Sequence, residues 1–307
     1  MKKILILSTS DNVHSDAIQT LLEAGDHPFI RINFDQVPNV PSISTDQEAL
    51  MVDNERVHIK SVFLHHPKVR IAATISDDLD RRLGNSQWTS LIQNLPFTLP
   101  PKTRWLNNPT AIKANSSTFL QLNAAKNVGF RTPLTCITTD IKTLRSFTKG
   151  LPVILKPGNL TGLNLEGQRL LAHLISADDI SPEILKNAPC LFQEYIPKAF
   201  ELRVHVIGQT VLTCRIDSQA IEQTTIDWRN YDLKNTPHVV YNLPTPIAQQ
   251  CVELTKSLGY ELGIIDLIVT PEEEFVFLEC NSQGHWLWIE QLTQLPITET
   301  VIKYLMD

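Results

Sequence analysis

Residues 263–269 (GIIDLIV) and 275–281 (FVFLECN) are apolar runs that each carry one acid. Side chains alternate along a strand, so Ile264, Asp266 and Ile268 share one face, as do Phe277, Glu279 and Asn281 on the other run. Pro271 and the acidic triplet 272–274 between the runs predict an exposed connection, hence a hairpin. Asp266, Glu279 and Asn281 then converge beside apolar neighbours. Two carboxylates placed in this way repel each other unless a cation or an arginine lies between them. Oxygen ligands of this kind suit Mg²⁺, which is held through one or two carboxylates together with substrate phosphates. A plain hairpin with two surface acids also fits, and the pair alone does not choose.

Other residues supply complementary chemistry. Lys156 ends the apolar run 151–157 (LPVILKP), with Ile154 on its face and Val153 and Leu155 on the opposite one. A lysine beside the glycine-containing stretch 158–168 suits a phosphate as a point charge, or simply ends a strand. The stretch matches neither the P-loop nor the kinase glycine pattern. In ELRVHVIG, Leu202, Val204 and Val206 face the core, while Glu201, Arg203 and His205 line the other side. Glu201 suits ribose hydroxyls and Arg203 a transferring phosphate or a carboxylate; a solvent-facing cross-strand ion pair is the plainer alternative. Residues 193–196 (Gln193, Glu194, Tyr195, Ile196) have the character of a backbone segment that reads a base edge. DWR (Asp227 to Arg229) is a charged loop around a tryptophan. His205, His238 and His285 lack metal-ligand spacing, Asn12 and His14 fit a helix cap, and Trp286 and Trp288 fit packing.

These residues need elements to hold them. Residues 3–7, 14–24 and 27–32 form a βαβ opening, which predicts a parallel sheet. Short edge strands flank Asp53–Asn54, a stronger strand covers 61–66, and helical spacing covers 75–95 before Pro96, Pro100 and Pro101 interrupt it. A helix over 115–130, with Phe119, Leu122, Ala125 and Val128 on its apolar side, stops at Gly129. Strands at 134–138, 151–157 and 190–194 alternate with helices at 141–147 and 182–186. Paired strands follow at 199–208 and 210–217, then a helix at 246–258, the acidic hairpin and a closing helix. The fold class is α/β.

At 307 residues the chain exceeds a single core. A net charge of −6 without a long basic run argues against nucleic acid as the main partner. The five scattered cysteines, without CxxC, fit buried thiols in a reducing compartment. The apolar core of the first ten residues is only ILIL, too short for a signal peptide, and no apolar run reaches membrane-spanning length. A cytoplasmic protein with no membrane partner is expected.

In order and spacing, WLNNP, QLNAAKNVGFRTPLTCIT, VILKP, QEYIPKAFELRVHVIG, DWR and the block 258–297 resemble the ATP-grasp superfamily over nearly the whole chain. The nearest branch is that of the graspetide (microviridin-type) peptide maturases, related to ribosomal-protein glutamate ligases and glutathione synthetase. The resemblance implies an N-terminal pre-ATP-grasp parallel-sheet domain (1–109), a central lobe (110–190) and a C-terminal lobe (191–307). It implies ATP and Mg²⁺ as cofactors. Lys156 would meet the phosphates; Gln193, Glu194, Tyr195 and Ile196 the adenine; Glu201 the ribose; and Asp266, Glu279 and Asn281 the metal. Arg203 would act at the transfer site, and Asp227 with Arg229 on the acidic side chain to be activated. The implied reaction makes an acyl phosphate on Asp or Glu side chains of a ribosomal precursor peptide, with leader and acidic core, and converts it to an ester or amide. A homodimer is a further partner expectation.

The sequence departs from that pattern in four places. Thr118 stands where relatives usually carry a second phosphate lysine, with Lys113 just upstream. Asn281-Ser282 replaces the more usual Asn-Pro, and Gly284-His285-Trp286 replaces Gly-Gln-Trp. His65 and His66 occupy a place where paired arginines are common, which leaves less fixed positive charge. Two alternatives follow: a ligase joining an amino acid or small peptide to a carboxylate, or a non-catalytic peptide-binding partner of a maturase.

Overall fold

The computed structural model describes residues 2–46, 49–70, 77–156, 171–221, 224–227 and 235–307, with the backbone of 164–165 and 168–169 besides. β1 (Lys3–Ser8) and β2 (Phe29–Asn33) are parallel and joined through α1 (Val13–Ala24), as the sequence predicts. The oxygen of Asn12 caps α1 by accepting from the Ser15 N–H. β6 (Ile59–Leu64) and β7 (Arg104–Leu106) complete a parallel sheet of order β2-β1-β6-β7. A small antiparallel sheet, β3 (Ile43–Thr45), β4 (Leu50–Val52) and β5 (Glu55–Val57), turns through Asp53 and Asn54, both at positive φ. α2 (Asp78–Thr98) carries Pro96 inside its last turn instead of ending before it. Ile92 and Leu95 of α2 are buried, while Leu79 and Leu83 are exposed.

The second sheet is antiparallel, in the order β12-β9-β13-β8. It comprises β8 (Thr135–Thr138), β9 (Val153–Lys156), β12 (His173–Ile175) and β13 (Cys190–Glu194). Leu144 of α5 (Ile141–Thr148) and Leu185 of α6 (Pro182–Asn187) cover Val153 and Phe192. The expected division between residues 190 and 191 falls inside β13. Within the glycine-containing stretch, β10 (Asn164–Leu165) pairs antiparallel with β11 (Gln168–Arg169).

The third sheet positions the site. Its order is β16-β15-β14-β17-β18, antiparallel throughout. The strands are β14 (Phe200–Ile207), β15 (Thr210–Ile216), β16 (His238–Val240), β17 (Leu262–Val269) and β18 (Phe275–Asn281). Leu202, Val204, Val206, Ile265, Leu267 and Phe277 pack under α4 (Thr118–Asn127) and α7 (Thr245–Ser257), with α3 (Pro109–Ala114) alongside. Burying each such side chain stabilises by about 1.5–3 kcal/mol before cavity effects. The opposite face is buried too. Ile207, Cys214, Leu262 and Ile264 pack with Ile4 and Ile6 of β1, α1, α8 (Leu287–Thr293) and α9 (Ile297–Met306).

Two amides fasten the acidic hairpin. Asn107 donates to the Leu262 and Ser282 carbonyls (2.6 and 2.7 Å) and accepts from the Glu261 and Leu262 N–H groups, tying β7 to β17. Gln121 of α4 accepts from the Cys280 N–H and donates to its carbonyl, both at 3.0 Å, and so satisfies the edge of β18. One face assignment from the sequence is corrected here. Asp266 pairs with Glu279, but Leu267 pairs with Phe277, so Leu278 is an extra residue in a β-bulge. Phe277 therefore turns into the core under α4 and α7, opposite Glu279, and Leu278 joins Ile196, Ile268 and Val276.

Candidate active site

A cleft of about 690 Å³, open solvent included, separates the second and third sheets. Such a volume is in the range of small-molecule sites. Ile154, Lys156, Gln193, Glu194, Tyr195, Ile196, Glu201, Asp227, Asp266 and Glu279 all line it, having reached it from separate elements. Alternation delivers Ile154 and Lys156 from β9, while Val153 and Leu155 point into the core beneath. Ile196, Ile268 and Leu278 form an apolar wall, and Pro133 and Ala172 add to the slot. Tyr195 and Ile196 lie just beyond β13, and among the described residues neither makes a backbone hydrogen bond outside the ladders. Their N–H and C=O groups are thus available to the edge of a planar ligand.

Charge is concentrated along one face of β14 and β17. Arg203 pairs directly with Asp266 across the strands, donating from Nη1 to both carboxylate oxygens (2.8 and 3.1 Å), with both side chains under a tenth exposed. Of the two ways to relieve the crowded acids, the structure therefore contains the arginine. Glu279 lies opposite Asp266, and Asn281 donates to Glu279 Oε1 at 3.2 Å and to Asp266 Oδ2 at 3.5 Å. The alternative of two surface acids fails for Asp266, which is 7% exposed. Among the described residues no group of three or more His, Cys, Asp or Glu is arranged to hold a metal. Two carboxylates and an amide fit Mg²⁺ better, because that ion keeps waters and takes its other oxygens from phosphates.

Glu201 is also buried, and Lys198 reaches back to it at 2.6 Å while donating to the Ile226 carbonyl at 3.1 Å. Sequence reasoning missed Lys198; its only signal was a lysine three residues before a strand acid. Asp227 accepts from the Ala172 N–H at 3.1 Å and so joins the DWR loop to the second sheet. Trp228 and Arg229 lie outside the described residues. Glu194 accepts from the Leu134 N–H at 3.1 Å and sits 3.5 Å from Arg131, so its carboxylate is fixed at the cleft edge. The Gln193 amide donates to Thr135 Oγ1. Neither Thr118, the first residue of α4, nor the exposed Lys113 lines the cleft.

Beyond Arg203 the segment Gln283–Trp286 closes the site. A Cβ on Gly284 would lie 2.9 Å from Ile264 Cδ1 and 3.2 Å from Arg203 Nη2, so glycine is what permits the guanidinium to pass. Arg203 also donates to the His285 carbonyl at 3.2 Å. Trp286 is fully buried and donates to Thr298 Oγ1, a packing role as expected. His14 does more than start a helix. Its Nε2 accepts from the Trp286 and Leu287 N–H groups (3.0 and 3.4 Å), which links α1 to α8. Burial holds His14 near 3 and does the same to the core residue His205.

A nucleotide-sized slot between two antiparallel sheets, with an arginine, two acids and an amide at one end, is the architecture of the ATP-grasp ligases, and the chain has that fold. Solved structures agree over its whole length. The Chryseobacterium gregarium RiPP-associated ATP-grasp ligase, in complex with ADP and a leader and core peptide, matches at TM-score 0.87 and 24% identity, covering 100% of this chain and 97% of that one. The Microcystis aeruginosa macrocyclase MdnC, bound with the precursor peptide MdnA, matches at 0.82 and 23%, over 100% and 99%. The ATP-grasp ligase PsnB, complexed with a precursor variant, Mg and ADP, matches at 0.81 and 20%, over 100% and 98%. No family model matches the sequence, and no curated protein does.

Proposed function

We propose that the chain is an ATP- and Mg²⁺-dependent ligase that activates Asp or Glu side chains of a ribosomal precursor peptide and joins them in ester or amide crosslinks. The observation that carries this reading is the convergence of Lys156, Glu201, Asp266 and Glu279 on one cleft with an apolar slot beside them. The likeness to ligases solved with ADP, Mg and precursor peptides adds support for nucleotide, metal and peptide.

The residues divide the work as follows. Ile154, Ile196, Ile268 and Leu278 sandwich the base, and the backbone of 194–196 reads its edge. Glu201 accepts from the ribose hydroxyls once Lys198 yields, and Lys156 meets the phosphates. Asp266, Glu279 and Asn281 hold Mg²⁺, which supplies charge neutralisation at the transferring phosphate when bound. Arg203 is then shared between Asp266 and the substrate carboxylate, with Asp227 and Arg229 orienting the acidic side chain from the neighbouring loop. A carboxylate so held attacks the γ-phosphate, ADP leaves and an acyl phosphate results; a hydroxyl or amine, giving up a proton, then displaces inorganic phosphate from it. Such a route needs charge stabilisation and exclusion of water rather than an enzyme nucleophile. The peptide partner on this reading has a leader and an acidic core, and the lobes meet after β13, giving parts 1–109, 110–194 and 195–307.

Incubation with ATP, Mg²⁺ and the peptide encoded beside the gene tests the reading by mass spectrometry. Loss of one water mass per bond is expected. Addition of an amino-acid mass would instead favour chain ligation, and no nucleotide binding with Mg²⁺ present would overturn both enzyme readings in favour of a non-catalytic peptide-binding partner.

A further inference from the structure

Four of the chain's nine histidines meet where the parallel sheet abuts the acidic hairpin. His65 and His66 stand at the carboxyl end of β6, His14 at the start of α1, and His285 just past β18. Ring centroids of His14 and His285 lie 4.8 Å apart and nearly edge to face, those of His65 and His285 lie 5.8 Å apart edge to face, and His66 stacks on His285 at 5.4 Å and 13°. His14 and His65 are buried, whereas His66 and His285 are exposed. The hydrogen bonds fix the tautomers of three rings. Nε2 of His14 accepts from two N–H groups, so its proton is on Nδ1. Nδ1 of His65 accepts from Asn12 Nδ2 at 2.9 Å, so its proton is on Nε2. Nε2 of His66 donates to the Gln283 carbonyl at 2.7 Å. Nδ1 of His14 has no hydrogen-bond partner among the described residues. Of these four, His285 alone has a ring with no hydrogen bond among the described residues, and its own carbonyl accepts from Arg203.

We infer that His285 accepts the proton of a hydroxyl nucleophile in the transfer step, so that the acceptor is a Ser or Thr side chain and the product an ester. This rests on the ligase reading above. The acceptor oxygen forms a bond to the acyl carbon, the acyl–phosphate bond breaks with its electron pair leaving on inorganic phosphate, and the hydroxyl proton passes to a ring nitrogen of His285. Solvent then takes the proton, because the ring is exposed. His14, His65 and His66 clamp the ring from three sides. The groups facing it are these three imidazoles and Arg203, which also holds the Asp266 carboxylate. Burial and the charges of His66 and Arg203 lower the affinity of His285 for protons, which keeps it neutral in the resting site.

The test uses the whole chain with ATP, Mg²⁺ and the peptide encoded beside the gene, in three forms: as encoded, with every Ser and Thr changed to Ala, and with them changed to Lys. Hydroxylamine at neutral pH, a nucleophile that needs no base, traps the activated carboxylate of the Ala form as a hydroxamate. His285→Gln is expected to keep hydroxamate formation within about twofold while ester formation falls about 10²-fold or more, the usual size of general-base assistance. In the parent protein ester formation falls as pH is lowered and His285 protonates; the variant lacks that limb. Ester formation by His285→Gln at the parental rate, or crosslinking of the Lys form as fast as the encoded one, would overturn the inference. Failure of the parent to form hydroxamate would instead sink the ligase reading itself.

Discussion

The cleft and the histidine junction lie along the same face of β14 and β17, yet they handle buried polarity in opposite ways. In the cleft two buried charges have a counter-charge each: Arg203 has Asp266, and Lys198 has Glu201. At the junction the groups are neutral, held so by burial and by hydrogen bonds that require an acceptor nitrogen. Buried ion pairs seldom stabilise beyond their desolvation cost, so they are poor evidence of a purely structural role. They are suited to exchange, since each partner can be handed to a ligand group of the same sign as the one it loses. Neutral imidazoles cannot be exchanged in this way, but they can take a proton.

Breaking the charged region has the largest expected effect. Asp266→Ala and Glu279→Ala each leave the fold intact and lower product formation by at least about 10²-fold, the scale of removing one transition-state stabiliser; circular dichroism and peptide mass spectrometry check both halves. Lys156→Ala weakens nucleotide binding about 10- to 100-fold, since a hydrogen bond to a charged group contributes about 1.5–3 kcal/mol; calorimetry measures it.

The neutral region is broken by acid. His14 and His205 sit near 3 when folded against 6.5 in the unfolded chain. Below 6.5 the unfolded state binds more protons, so stability is fully present above that value and is lost as pH falls from 6.5 towards 3. At pH 5 each group costs about 2 kcal/mol. The melting temperature drops accordingly between pH 7.5 and 5, and His205→Asn makes the drop shallower. The smallest effect is at Thr118, which lies outside the cleft lining. Thr118→Lys changes nucleotide affinity by less than about threefold, and a larger gain in calorimetry would show that α4 reaches the phosphates.

What the sequence made legible follows period-two alternation. Ile154 and Lys156, Glu201 and Arg203, and Asp266 and Glu279 all reach the faces that alternation assigns them. Phe277 does not, because a bulge adds Leu278 to β18 and resets the alternation, and a bulge leaves no mark in an apolar run. The helical spacing over 75–95 indicates a face but not what covers it, and Leu79 and Leu83 of α2 are exposed. The histidine junction was invisible for a different reason. Its members are separated by 51 residues between His14 and His65 and by 219 between His66 and His285, so only the packing of the parallel sheet on the hairpin brings them together. Lys198 was hidden similarly, since its partner Glu201 already had a sequence-level role of its own.

Calorimetry of ATP binding with and without Mg²⁺, on the parent and on Glu279→Ala, tests the central claim most directly. The parent binds ATP more tightly when Mg²⁺ is present, and the variant loses that Mg²⁺-dependent gain while keeping its fold. A parent that binds no nucleotide, or a Glu279→Ala protein with an undiminished Mg²⁺ effect, would contradict the assignment of the cleft.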